Sequence, residues 1–317
     1  VTASVDALCV GIAVECTPHC AIAAGVDKNL QTQPVGFSGD GVETCGRVQR
    51  AAAIAGLIGS RSATMQWLRS VVFTAFMFAW TLAYAIFFVL VSWAVPLPQR
   101  FAMVRWYGAR MLDALRVLCK LDFVVEGLEN IPSQPHVSYW KHSSSWEVFA
   151  QFLIGPPKVI VLKRELIYIP FFGWGLMLLR SVAVDRGAGA SAVNQVVAQG
   201  HARLDEGLSM LIFPEGTRMA AGQTRRYGVS GALLASRTGC KVVPVAHDAG
   251  YYWPRRGLMK RPGTIRVIIG PPIDTMDREP RDINEQAQAW VEAAVERIRS
   301  EKAGLATPSS AAGQSRG

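Results

Sequence analysis

No C-x-x-C pair occurs anywhere in the 317 residues, which removes the common zinc-ribbon and thioredoxin-type redox motifs. Of six cysteines, Cys9, Cys16, Cys20 and Cys45 fall in the first 45 residues, while Cys119 and Cys240 stand alone. Cys16, His19 and Cys20 cluster, but no second pair follows at a suitable spacing, so no metal site is expected. Acidic residues are also scarce: 24 Asp and Glu against 33 Lys and Arg leave a formal net charge of +9. That balance favours acidic partners, whether anionic lipid, phosphorylated substrate or nucleic acid. The cations are scattered or gathered beside one apolar segment, with no basic face interleaved with aromatics, so nucleic acid is not an expected partner. No internal repeat is visible. Half the chain is hydrophobic, more than an ordinary soluble domain needs.

Charge is missing altogether from Val71 to Val95, a stretch dominated by Phe73, Phe76, Phe78, Trp80, Leu82 and Ile86–Val91. As a helix these residues span roughly 37 Å, enough to cross a bilayer with some tilt. Pro96 and Pro98 end the run. A buried core helix is the alternative, but a soluble helix usually keeps a polar face. Membrane association is therefore expected, either as a single crossing or as a hairpin dipping into one leaflet. In the hairpin, residues 101–119 form the second, amphipathic arm. Arg100, Arg105, Arg110, Arg116 and Lys120 follow the apolar run closely, against only Arg61 and Arg69 near its other side. The positive-inside tendency puts everything after Pro96 on the cytoplasmic side of an inner membrane. The same arginines can rest on anionic headgroups.

After Lys120 the pattern changes to strands alternating with helices. Strands are expected at 122–126, 136–139, 158–162, 182–184, 210–213, 241–245 and 265–269, each a short apolar run. Pro244 demotes its strand to an edge or a bulge. Helices are expected at Trp146–Leu153, capped by one of Ser143 to Ser145, at 190–206, at Ser230–Thr238 with Gly239 as the stop, and at Ile283–Arg299. The fold class is α/β: a mixed, largely parallel sheet flanked by helices, behind an N-terminal membrane-associated helical segment. The divisions expected are 1–64, disordered or over-extended; 65–120, membrane-associated; 121–300, the α/β domain; and 301–317, a disordered tail.

Four stretches carry residues suited to chemistry. In Trp140–Glu147, His142 precedes an expected helix, and a carboxylate in that helix can fold back to it. A neutral imidazole accepts a proton from an alcohol best when a carboxylate holds its other ring nitrogen. The alternative is a structural histidine with a chance neighbour. Phe213-Pro214-Glu215-Gly216-Thr217-Arg218 ends a strand in a tight turn, whose N–H groups can bind an anion while Arg218 clamps phosphate. The alternative is a capped turn whose arginine pairs with a surface acid. Asp185-Arg186 closes a third strand with a second guanidinium, or with a local ion pair. In the fourth, Val242–His247, His247 reads as structural.

Together and in this order, these blocks resemble the glycerolipid acyltransferase family, specifically the 1-acylglycerol-3-phosphate acyltransferases. The family's H-x4-D, G-x-x-x-[VI]-D-R-like, F-P-E-G-T-R and V-P-V-like blocks here read HSSSWE, SVAVDR, FPEGTR and VVPVAH. The resemblance covers roughly residues 65–300, and F-P-E-G-T-R is its most specific part. Glu147 stands where the family usually has Asp; it keeps the charge and adds one methylene. The resemblance implies that His142 takes the proton from the sn-2 hydroxyl of 1-acylglycerol-3-phosphate (lysophosphatidic acid) and that Glu147 orients it. The oxygen then attacks the thioester of acyl-CoA or acyl-carrier protein directly, consistent with the lack of a G-x-S-x-G nucleophile elbow. Arg186, Glu215, Gly216, Thr217 and Arg218 would hold the glycerol phosphate. The product is phosphatidic acid. No metal or cofactor is implied beyond the acyl donor, and membrane lipid is the remaining partner. The competing readings are an acyltransferase of the same fold with another lysolipid, and a membrane-anchored binding protein without turnover.

The chain opens on Val1 and its first methionine is Met65. A GTG codon can start a bacterial gene, so the natural start is expected at Met65. Mass spectrometry of the native N-terminus should find Met65 first; a peptide from within residues 1–64 contradicts this.

Overall fold

The computed structural model describes the backbone of residues 40–306 and the side chains of residues 62–304. The chain divides into two compact units, Val1–Thr64 and Met65–Gly317. Of the first unit, only helical backbone from Asp40 onward is described, and the Cys16–His19–Cys20 cluster lies outside the described residues. Residues 40–64, expected to lack regular structure, are helical. Their alanines supply helix propensity without an amphipathic period.

Helix α1 spans Asp40–Ser92, and its portion Ser62–Ser92, with mean hydropathy 2.1, is long and apolar enough to cross a membrane. Helix α2, Leu97–Cys119, starts after Pro96 with Pro98 in its first turn, where a missing N–H costs nothing. The two form an antiparallel hairpin. Thr81 and Tyr107 share a hydroxyl–hydroxyl bond of 2.6 Å, the Tyr84 hydroxyl donates to the Met103 carbonyl, and the Tyr84 ring stacks on Trp106 and Tyr107.

Both ends of the described apolar helix touch the α/β domain. Near its start, Gln66 Nε2 donates to the carbonyls of Cys119 and Lys260 at 3.0 and 2.7 Å. The Lys260 side chain is buried against Thr74, Phe73 and Trp253. Near its end, Phe88 packs so closely on Gly175 that a β-carbon there would lie 3.3 Å from its ring.

The domain is a seven-stranded sheet in the order β1-β7-β6-β2-β5-β3-β4. The strands are β1 Leu121–Glu126, β2 Val137–Trp140, β3 Lys158–Lys163, β4 Val182–Val184, β5 Ser209–Ile212, β6 Val242–His247 and β7 Gly263–Ile269. Every pairing is parallel except β6 with β7. Central strands β2, β5 and β6 are buried along their whole length, as parallel strands covered on both faces must be. Helices α5 (Ala190–Asp205), α6 (Val229–Thr238) and α8 (Pro280–Ala306) cover the face to which Tyr139 and Lys141 point. Short helices α3 (Glu147–Ala150), α4 (Phe172–Leu178) and α7 (Ala249–Tyr252) sit in the connections.

Several local expectations change. The helix after His142 is one turn, Glu147–Ala150; the Ser144 hydroxyl accepts the Trp146 N–H at its start, and the Glu147 carboxylate reaches back to the Ser143 and Ser144 amides. Strand β6 is interior despite Pro244. Its pairing Val245↔Ile269 and its bridge Val242↔Ile273 differ by one residue of register, so the imide nitrogen falls at a bulge where no ladder donor is needed. The last helix runs through Ala306, beyond the boundary expected at residue 300, and residues 307–317 lie outside the described residues.

The parallel order has one consequence for placement. Strands β6, β2, β5, β3 and β4 deliver their C-terminal ends to a single edge of the sheet, where open α/β sheets bind ligands. Close packing under this edge is tight: a β-carbon on Gly231 of α6 would lie 2.6 Å from the Tyr139 ring. Tyr139 is wholly buried and its hydroxyl donates to Asn284, so it cannot yield cheaply. Gly231→Ala should therefore lower stability by about 1–2 kcal/mol despite better helix propensity. Thermal melts in detergent check this, and an unchanged or raised midpoint contradicts it.

Candidate active site

His142 follows β2 by two residues, and its imidazole Nδ1 lies 2.6 Å from Glu147 Oε2. The other carboxylate oxygen accepts the backbone N–H groups of Ser143 and Ser144 at 2.6 and 2.5 Å. Glu147 is fully buried. Burial raises its carboxyl pKa, but the hydrogen bond from His142, the electrostatic pull of the two nearby imidazoles and the Ser143 amide outweigh it, leaving a net shift downward. An ionised Glu147 accepts Nδ1–H, which fixes the tautomer and leaves Nε2 as the basic nitrogen. The Phe213 ring stacks on the imidazole with centroids 4.0 Å apart and holds its plane.

A second buried carboxylate secures the backbone. Glu215 Oε2 accepts the His142 N–H at 2.8 Å, and Oε1 accepts Lys141 Nζ at 2.8 Å. Lys141 also donates to Glu292 of α8 and to the Gln223 carbonyl. Glu215 was expected among the groups holding glycerol phosphate. Its side chain is instead wholly buried, with both oxygens engaged, so it fastens the end of β2 to the turn after β5. Burial pushes its pKa up against the pull of Lys141. His247, read as structural, is buried: Nε2–H donates to the Lys141 carbonyl at 2.9 Å, Nδ1 accepts the Ala249 N–H, and Glu147 Oε1 lies 3.5 Å away. Burial lowers its pKa, so it is neutral and props the same carboxylate from behind.

His142 opens on a cleft of about 500 Å³ together with Arg186, Phe213, Thr217 and Arg218. The chain therefore brings His142, Glu147, Arg186, Gly216, Thr217 and Arg218 to one place. The Gly216 carbonyl accepts Arg186 Nη1, and Gly216 has φ 70°, a left-handed conformation suited to glycine. Lys163, Arg255 and Arg256 also line the cleft, and none of its lining residues is acidic. Arg255 and Arg256 were missed from sequence; the only signal was their adjacency after Pro254, in a loop without a motif. Arg255 Nη1 donates to the Arg218 carbonyl at 2.7 Å and so braces the F-P-E-G-T-R turn.

Beside this cleft lies an apolar cavity of about 370 Å³ between the hairpin and the domain. Phe88, Tyr107 and Phe149 line it, and it shares Val148, Phe172, Leu176 and Arg218 with the cleft. A cationic cleft that opens on an apolar cavity suits an amphiphile with an anionic head.

Known proteins agree with this architecture. An acyltransferase family model matches residues 122–248. A 1-acyl-sn-glycerol-3-phosphate acyltransferase from Pseudomonas aeruginosa is 41% identical over 234 residues, covering 72% of this chain and 90% of the relative. This chain belongs to the 1-acyl-sn-glycerol-3-phosphate acyltransferase family. The enzyme of that name from Saccharomyces cerevisiae is 28% identical over 200 residues, 59% of this chain and 63% of its own. The crystal structure of the 1-acyl-sn-glycerophosphate acyltransferase PlsC from Thermotoga maritima has the same fold. It superposes with a TM-score of 0.62 at 23% identity, covering 73% of this chain and 95% of that one. In this member of the family, a glutamate at 147 reaches His142 at full hydrogen-bond quality, so the extra methylene is accommodated.

The Glu147 geometry sets a pH dependence. Its folded-state pKa is depressed below the unfolded value of about 4.3. The stability it adds is complete above that value and is lost as pH falls through the folded pKa. Glu147→Gln should cost roughly 3 kcal/mol at neutral pH. Its deficit relative to wild type should shrink as pH falls below about 4. Melting curves across that range check the sign; a deficit independent of pH contradicts it.

Proposed function

We propose that this protein transfers an acyl chain to the sn-2 hydroxyl of 1-acylglycerol-3-phosphate, giving phosphatidic acid. One observation carries the reading: the His142 ring bonded to buried Glu147 lines an acid-free cationic cleft that continues into an apolar cavity. His142 Nε2 removes the hydroxyl proton as the oxygen attacks the thioester carbonyl, and Glu147 stabilises the imidazolium that forms. The thiol leaves on collapse and takes up a proton, so no acyl-enzyme forms. Arg186 and Arg218 hold the acceptor phosphate through charge-assisted hydrogen bonds, with Thr217 beside them. The acyl donor is acyl-CoA or acyl-carrier protein, and the reaction needs no metal or further cofactor.

The membrane arrangement we favour is the hairpin in one leaflet of the inner membrane, with the α/β domain on the cytoplasmic side. Its support is the double attachment of α1. A helix fastened to the domain through Gln66 at one end and Phe88 at the other lies along the domain. Exposed Phe78, Leu82, Phe87, Leu90 and Trp93 then face lipid.

An acyl-transfer assay with several lysolipids tests the reaction. His142→Ala should lower kcat by roughly 10²–10⁴-fold or more without unfolding the protein. Arg218→Ala should mainly raise KM for the acceptor. Activity restricted to phosphate-free acceptors, or an active His142→Ala, would overturn the assignment.

A further inference from the structure

The cleft holds more positive charge than one acceptor needs. A phosphate monoester carries about −1.5 to −2 charges, which two guanidinium groups match. Arg186 and Arg218 come from the loops after β4 and β5. Arg255 and Arg256 reach the same cleft from the loop after α7, and no acidic residue lines the space between.

Those two arginines also line a second cavity of about 290 Å³ on their far side, with Arg261, Tyr251 and Gly250. This cavity is built on a firm frame. A β-carbon on Gly250 would lie 2.9 Å from Ser143, so its floor leans on the residue next to His142. The Met219 N–H donates to the His142 carbonyl at 2.7 Å, which ties the opposite wall to the same residue. The loop is closed at its base by the Arg261 N–H on the Tyr252 carbonyl, and Lys260 is anchored inward beneath it. The Tyr251 hydroxyl is buried and finds no hydrogen-bond partner among the described residues. Arg299 lies over the ring of the same tyrosine. Three arginines around one small cavity, with no acidic residue lining it, constitute an anion site, and it adjoins the cleft.

We propose that Arg255, Arg256 and Arg261, with Tyr251, form the subsite for the phosphate-bearing arm of the acyl donor. The assignment rests on the acyl-transfer reading above and deepens it. The acyl chain occupies the apolar cavity, the thioester lies at His142, and the thiol arm leaves past Arg255 toward Arg261. Acceptor and donor phosphates then bind on separate loops, and each anion is matched by its own arginines.

The test uses the full-length protein in detergent, with Arg256→Ala and Arg261→Ala made singly. Both side chains are exposed, so the variants should fold, and melting curves check that they do. Each variant should raise KM for palmitoyl-CoA roughly 10-fold, the loss expected of a charge-assisted bond. In Arg261→Ala, whose side chain lines only the far cavity, KM for the lysolipid should not move. Palmitoyl-pantetheine, which has the thioester but no phosphate, should be used equally by wild type and Arg261→Ala. Free CoA should bind the wild type in calorimetry and bind Arg261→Ala more weakly, a readout that needs no acceptor and stands even if the lysolipid assignment fails. The proposal is overturned if donor KM and CoA binding are unchanged, or if KM for the lysolipid rises instead in Arg261→Ala. It is equally overturned if palmitoyl-pantetheine suffers as much as palmitoyl-CoA in that variant, or if only sedimentation with anionic vesicles is lost.

Discussion

A carboxylate taken out of water must be matched by donors, and Glu147 is the group on which this site depends. It is wholly enclosed, and three of its close partners are His142, Ser143 N–H and Ser144 N–H. Breaking such a buried set costs several kcal/mol. The loop between β2 and α3 therefore has one low-energy course, the course that points the imidazole into the cleft. Around it stand two supports of different kinds: neutral His247 from β6 and the Glu215–Lys141 pair that joins β5 to β2. Neither contacts the cleft as an acid or base. They make the position of His142 a property of the whole sheet.

The parallel sheet is what collects the remaining parts. Residues far apart in the chain meet because adjacent parallel strands end at one edge: the loop after β2 brings His142, and the loops after β4 and β5 bring Arg186 and Arg218. The antiparallel strand β7 then turns the chain back. Its preceding loop, Pro254–Pro262, is thereby carried to the cleft and fastened to α1 through buried Lys260. The apolar hairpin and the polar site are thus parts of one packed body. The cavity between them is apolar on the hairpin side and cationic on the other.

Much of this was legible in the sequence. Strands read as short apolar runs because they are buried on both faces, and F-P-E-G-T-R, with the upstream histidine, located the edge where they end. The direction of individual side chains was not legible. Glu215 looked like a ligand for phosphate because it sits in the most specific motif, yet its carboxylate turns inward; only the Lys141 and His142 contacts reveal that. Arg255 and Arg256 have no motif, and nothing short of the β6–β7 connection brings them near His142. Pro244 was read through a local rule about donors, and the missing donor falls at a bulge that depends on register with a later strand. Helix α3 was expected to run to Leu153, but it ends at Ala150 and the chain goes on in turns to Gly155 and Pro156.

The contact between Lys141 and Glu292 has a bearing on the order in which the protein is made. It joins residues 151 positions apart, and Glu292 lies on the final helix. Large domains emerge from the ribosome N-terminus first. The apolar hairpin is therefore available to lipid long before α8 has been synthesised. The Lys141–Glu292 tie therefore forms only after the hairpin and every strand of the site have been made.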